Sequence, residues 1–179
     1  MAVFEQWPDT PIVTPSGSCA AMLVHGYPDL FRDDLVLAAR AEAIASRTFE
    51  FTQYLVDVLG VTDVGAQWAG KLAYHPSCHL LRGLGVNEAP LKLLAKVRDA
   101  EVVPLPGAEE CCGFGGLFSI EYGDVSGAML ERKIQGIRAT GAGTIVTCDA
   151  SCLTHINGGL SRQRIQQRVV HIAEILNSR

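Results

Sequence analysis

The sequence predicts an α/β fold: a mostly parallel, doubly wound sheet forming one complete cysteine-rich unit, preceded by a truncated copy of a pseudo-repeated first unit. Three observations carry this expectation. Short apolar runs alternate with helical stretches through the second half of the chain, as in a parallel sheet with covering helices. Cysteines follow those runs, in segments rich in Gly, Ser and Pro. An eight-residue stretch near the N-terminus returns, in five of its eight positions, near the C-terminus.

Asp33 and Asp34 can cap an alanine-rich helix through Ala45. Phe51, Tyr54, Leu55, Val58 and Leu59 keep i, i+3, i+4, i+7, i+8 spacing, an amphipathic face that packs against the second unit. Lys71–His75 reads as a strand that ends at Pro76 and delivers Cys78. Asn87 and Pro90 suit the start of a helix carrying Leu91, Leu94 and Val97. Glu101–Leu105 is a second strand, with Cys111 and Cys112 beyond it. Asp124–Thr140 is a helix bearing Leu130, Ile134 and Ile137, stopped by Gly141 and Gly143. Thr144–Thr147 is a third strand, leading to Cys148 and Cys152, and Arg168–His171 a fourth, before a short helix through Leu176. Every cysteine group then falls in a loop after a strand, at the sheet edge where ligands bind in open α/β folds.

The repeat sets Ile12-Val13-Thr14-Pro15-Ser16-Gly17-Ser18-Cys19 over Ile145-Val146-Thr147-Cys148-Asp149-Ala150-Ser151-Cys152. Tyr54–Leu59 likewise lies over His171–Leu176. Residues 1–60 are therefore read as a truncated first unit with a helical insert, and 61–179 as the complete unit. Counterparts of Cys78 and of Cys111–Cys112 are absent from the first, which leaves Cys19 a free thiol. Cys148 lies opposite Pro15, so it is the dispensable member of the last cysteine pair.

At 179 residues and 48% hydrophobic content, the chain can bury a proper core. Its formal charge of −4 and lack of a basic face exclude nucleic acid as a partner class. Met1–Thr10 has neither the basic nor the apolar region of a signal peptide, and no apolar stretch approaches the ~18 residues of a membrane span. A cytoplasmic location is expected, where thiols signal metal or redox chemistry rather than a disulfide framework.

Adjacent cysteines make a poor disulfide but place two thiolates at one inorganic centre, provided the backbone bends sharply. The glycines of Cys111-Cys112-Gly113-Phe114-Gly115-Gly116 supply that freedom. Cys78, Cys111, Cys112 and Cys152 provide the four thiolates an iron–sulfur cluster of the 4Fe–4S type requires, with Cys148 as a spare or fifth contact. Zinc is the alternative, although only Cys148-x₃-Cys152 resembles a zinc knuckle. His79 is placed to hydrogen-bond a cluster sulfur or move a proton, and Arg82 to hold a carboxylate; these are the two candidate catalytic residues.

Tyr74-His75-Pro76-Ser77-Cys78-His79, Glu109-Glu110-Cys111-Cys112-Gly113-Phe114-Gly115-Gly116 and Thr14-Pro15-Ser16-Gly17-Ser18-Cys19 together resemble the cysteine-rich CCG domain family, and within it the lactate-utilisation proteins. The cysteine-rich subunit of heterodisulfide reductase and the iron–sulfur subunit of glycolate oxidase belong to the same family. The resemblance covers the chain from Ile12 onward. It implies an irregular iron–sulfur cluster and an electron-transfer subunit of a complex oxidising a hydroxy acid, L-lactate to pyruvate being the nearest case. It also implies partner subunits, including a ferredoxin-like iron–sulfur protein; separately, the sheet edge and apolar surface that a truncated first unit exposes favour a homo-oligomer or dependence on partners. A zinc-binding, non-redox assembly module is the competing function. The chain departs from the glycolate oxidase subunit in lacking a Cys-x-x-Cys-x-x-Cys segment, and from heterodisulfide reductase in having three rather than two residues between its last cysteines.

Overall fold

The computed structural model describes residues 1–179. After a 3₁₀ turn (Phe4–Gln6) come β1 (Ile12–Thr14) and α1 (Gly17–Ala21), followed by a π-helical turn (Met22–Gly26) and α2 (Tyr27–Leu30). Asp34 caps α3 (Leu35–Ala45), its carboxylate accepting from the Val36 and Leu37 N–H groups. β2 (Thr48–Glu50) pairs parallel with β1, Ile12 opposite Thr48 and Thr14 opposite Glu50. Glu50 and Gln53 then form a capping box that starts α4 (Phe51–Gln53) and the π-helical turn Tyr54–Val58.

The second part comprises β3 (Gln67–His75), α5 (Glu88–Leu94), β4 (Arg98–Val103), α6 (Phe118–Glu121), α7 (Gly123–Ala139), β5 (Thr144–Thr147), α8 (Ala150–Arg162), β6 (Arg168–His171) and α9 (Ile172–Leu176). Its four strands lie in the order β4-β3-β5-β6, all parallel. The chain winds outward from β3 to β4, returns, and winds the other way from β5 to β6. The reversal makes the carboxyl ends of β3 and β5 a topological switch point.

Alternation along the strands sorts the core into two layers. Leu72, Tyr74, Val146, Cys148 and Val170 point to one face, where they meet Leu80, Leu93, Leu94, Ile172 and Ile175. Ala73, Ile145 and Val169 point to the other, against Leu105, Ile134, Ile137, Ile156 and Leu160. A parallel sheet buried on both faces explains why β5 reads as an unbroken buried run.

Four expectations are corrected in detail. β3 and β4 begin at Gln67 and Arg98, earlier than the apolar runs, because a register irregularity between Gln67 and Gly70 and a positive φ of 61° at Asp99 let polar residues join the pairing. Cys152 lies in the first turn of α8, not in a loop; the Gly158-Gly159 pair argues against this helix on propensity alone. Asn87 precedes α5 but makes no side-chain cap. Phe51 and Leu55 pack on the first core layer, whereas Val58 and Leu59 are 46% and 53% exposed, since the wider π-helical winding turns them off that face.

The same structure fixes α7 closely over the segment leading to Cys111. At Gly136 a Cβ atom would run into the Pro106 carbonyl oxygen. Gly136→Ala gains about 1 kcal/mol of helix propensity but forces α7 off that backbone, at about 1–3 kcal/mol for overpacking. A net loss of stability is expected in urea titrations, and a stabilised variant would show that α7 does not set this loop.

Candidate metal centre

Three strand ends supply the thiols. β3 runs out through Pro76 and Ser77, and Cys78 opens the π-helical turn His79–Gly83. After β4 the chain passes Pro104 and Pro106 into a loop braced from both sides. The buried Lys133 of α7 donates to the Gly107 and Ala108 carbonyls at 2.6 and 3.0 Å, and Arg82 donates to the Glu109 carbonyl at 2.7 Å. Beyond the cysteine pair, Gly113 has φ +92°, and a Cβ there would lie 2.6 Å from the Ser126 carbonyl oxygen. Only glycine fits this turn. Ser126 Oγ donates to the Gly113 carbonyl at 2.8 Å and holds the bend in place. Cys152 comes from α8, whose N-cap is Asp149.

These segments meet around a cavity of about 310 Å³ lined by Cys78, Cys111, Cys112 and Cys152, with His79, Phe114, Ser18, Asp149 and Ser151 on its walls. The sulfurs form two close pairs, Cys78–Cys111 at 3.9 Å and Cys112–Cys152 at 3.4 Å. Cys112 and Cys152 are buried, while Cys78 and Cys111 stand half-exposed at the mouth. Cys148 is elsewhere: it faces the opposite core layer, with Tyr74 Oη 3.7 Å from its Sγ. Cys19 is exposed and, like the other five, unpaired.

Crowded thiols share charge poorly. Cys111 is pulled well below an ordinary thiol by the neighbouring Cys112 and Cys78 thiols and, further, by the Gly113 N–H, which donates to its sulfur at 3.3 Å. Cys78 and Cys112 are pushed up, first by hydrogen bonding to Cys111, then by burial and, for Cys112, by Cys152 as well. One thiolate thus sits among thiols that resist losing further protons. A cation reverses that balance, because metal binding deprotonates the thiols that ligate it. The soft donor set, the cavity and the paired sulfurs fit an iron–sulfur cluster or zinc.

Of the two candidate catalytic residues, His79 lines the cavity with Nδ1 3.9 Å from Cys78 Sγ. Arg82 lies outside it, braced on the Glu109 carbonyl and lining a neighbouring cleft with Cys111, Met129 and Arg132. Residues not singled out in the sequence also matter. His75 is buried beside Cys112 and Cys152, its ligand atom and their sulfurs all within 4.8 Å of one another. Burial, then the nearby Lys133, push its pKa down to about 3, so the imidazole is neutral. His75 ends β3, three residues before Cys78, and no local sequence signal marks it as facing the other cysteines. Lys133 is itself held below its usual pKa by burial. Asp149 accepts from the Ser18 backbone N–H at 2.8 Å and the Ser16 hydroxyl at 3.2 Å, tying the N-terminal segment to the cavity wall.

A parallel sheet with a cysteine cradle at its switch point defines a cysteine-rich domain protein, and the CCG cysteine-rich domain family matches residues 72–157, which contain all four cavity cysteines. The chain is also 48% identical over 168 residues to lactate utilization protein A of Lysinibacillus sphaericus, covering 94% of this chain and 73% of that relative. The lactate utilization protein A of an Exiguobacterium species is 51% identical over 174 residues, covering 97% and 71%. The chain belongs to the lactate utilization protein A family. No helix is long and apolar enough to cross a membrane.

Asp149 offers a direct check on the cavity wall. Burial works against its charge, yet hydrogen bonds from Ser151 and Ser18 hold its carboxyl below the usual range. Its stabilising contribution is therefore complete above the unfolded value of 3.8 and disappears as pH falls through the lower folded value. Asp149→Asn is expected to lose about 1–3 kcal/mol at neutral pH, to flatten the acid limb of stability, and to speed hydrogen exchange at the Ser18 amide. Unchanged exchange there would separate Asp149 from the docking of the first segment.

Proposed function

We propose that this protein is a cytoplasmic iron–sulfur electron-transfer subunit of a complex that oxidises a small hydroxy acid, with L-lactate to pyruvate as the nearest case. The observation that carries the reading is the meeting of two thiol pairs from three separate strand ends in one cavity. The relatives' shared name points to lactate.

In this reading Cys78, Cys111, Cys112 and Cys152 hold a 4Fe–4S-type cluster of irregular geometry, and residues 61–179 form the unit that contains it. Such a cluster, when bound, takes up and releases single electrons. The protein's own contributions are distinct. Cys112 and Cys152 anchor the inner side in a dry layer of the core, which restrains reorganisation. Cys78 and Cys111 keep the outer side at the surface, within reach of a ferredoxin-like partner subunit. His79 at the mouth can hydrogen-bond a sulfur there. The subunit acts as an oxidoreductase only within its complex, so turnover belongs to the assembly. A zinc site is the second reading, favoured by the mixed nitrogen and sulfur donors of His75, Cys112 and Cys152.

Anaerobic purification or reconstitution separates the two. Broad thiolate-to-iron absorption near ~400 nm, with iron and sulfide in comparable amounts, is expected. Stoichiometric zinc with neither iron nor sulfide overturns the cluster. The cysteines also differ in weight. Cys152→Ser is expected to remove most of the bound iron, whereas Cys148→Ser, altering a core residue on the other face, keeps it; equal losses would contradict the assignment of ligands.

A further inference from the structure

We propose that His75 is a nitrogen donor to this metal centre, joining Cys112 and Cys152 on its buried side. The inference rests on the reading that those two cysteines hold metal, and it goes beyond the four-thiolate set.

Buried imidazoles normally have partners, because an unmade hydrogen bond costs about 1–3 kcal/mol. His75 is 1% exposed, and neither Nδ1 nor Nε2 has one. It does not stand alone. Of the six buried side-chain polar atoms without a partner, four belong to His75, Ser77 and Thr147. Thr147 is the residue directly paired with His75 across β3 and β5. The unmet polar groups therefore gather at the switch point, where an occupant of the sheet edge would meet them.

Strand periodicity explains the ring's direction. Ala73 faces the layer that contains Cys112 and Cys152, and His75, two residues on, emerges on the same side. The ligand atoms of the three residues are then mutually within 4.8 Å. Three donors so arranged can close on one metal atom with small side-chain adjustments. A ligating histidine usually directs its other N–H at a backbone carbonyl, and the Ala108 carbonyl, which accepts from Lys133 at 3.0 Å, lies near the ring although no hydrogen bond joins the two. Being the last residue of a central strand, His75 is placed by the sheet rather than by a loop.

The test uses the full-length protein labelled with ¹⁵N-histidine, so that its outcome does not depend on a variant that folds. After anaerobic iron and sulfide reconstitution and reduction, pulsed electron paramagnetic resonance is expected to show one strongly coupled nitrogen. In parallel, the metal-free protein is titrated with Co²⁺ as a single-ion probe, and an imidazole N–H proton is expected far outside the diamagnetic range in the proton NMR spectrum. His75→Phe should abolish both signals and weaken Co²⁺ binding by at least about tenfold. A cluster that forms with only weak nitrogen couplings, together with cobalt bound without the shifted imidazole proton, overturns the His75 assignment and leaves the cluster standing. Cobalt bound with that proton, in protein that takes up no iron or sulfide, overturns the cluster and keeps His75. Failure to bind either metal overturns both.

Discussion

The parallel pairing of β3 with β5, Leu72 against Thr144 through His75 against Thr147, is the constraint on which the rest of this structure depends. It ends both strands at the same level. The segment after β4 reaches that level through a longer route, because β4 stops at Val103 and eight residues must be placed before Cys112. Lys133, Arg82 and Ser126 do that placing from α7 and from the turn after Cys78. A one-residue slip of β5 would exchange its two faces. Cys148 would then turn toward the cavity side and Ile145 away from its layer. The register of a four-residue strand thus decides which cysteine is core and which elements can share a site.

Charge sets the second constraint. A buried ammonium without a carboxylate partner is costly, and Lys133 has only carbonyl oxygens within hydrogen-bond reach. Its position behind the cysteine loop makes physical sense if negative charge gathers there. Glu110 first, then Cys112, Cys152 and Cys111, act on it electrostatically in the sense that favours its protonation. The same ammonium disfavours a proton on His75. One cation therefore favours thiolate at the cysteines and a neutral ring at the histidine, the protonation states that soft metal ligation demands.

The fold was legible in the sequence where periodicity and breakers agree. Thr144–Thr147 and Arg168–His171 are recovered as strands with those bounds, since each is a compact apolar run closed by polar residues. α8 was hidden because two glycines interrupt it, although Asp149 as N-cap and Cys152, Ile156 and Leu160 on one face are signals a helix would leave. The eight-residue match between Ile12–Cys19 and Ile145–Cys152 has a local structural parallel. β1–β2 and β5–β6 have matching pairings, Thr14 with Glu50 and Thr147 with His171, and both partners start a helix through a capping box. By geometry Glu50 corresponds to His171, four residues before the Tyr54 indicated by apolar pattern. A shift of one helical turn preserves an apolar pattern, so pattern alone could not resolve it. His75 was missed for a different reason: nothing in a local sequence says that the last residue of one strand will face cysteines delivered by another strand and a helix.

The first sixty residues illustrate how a small element is stabilised by what it covers. A two-stranded parallel sheet has no means of burying both faces by itself. Here the strand pair is held at its carboxyl end. The Gly17 N–H donates to the Cys148 carbonyl at 3.3 Å, the Ser18 N–H donates to Asp149, and His171 Nε2 lies 2.8 Å from the Pro15 carbonyl. Phe51 and Leu55 add apolar contact with the first core layer. These bonds converge on Cys148, Asp149 and His171, residues at the ends of β5 and β6. The segment consequently docks on the same sheet edge that gathers the thiols, and it places Ser18 in the cavity wall. Loosening the docking withdraws Ser18 from the cavity wall, while distortion of β5 or β6 releases the segment. Stability of the first part and closure of the candidate metal centre are thus one physical property rather than two.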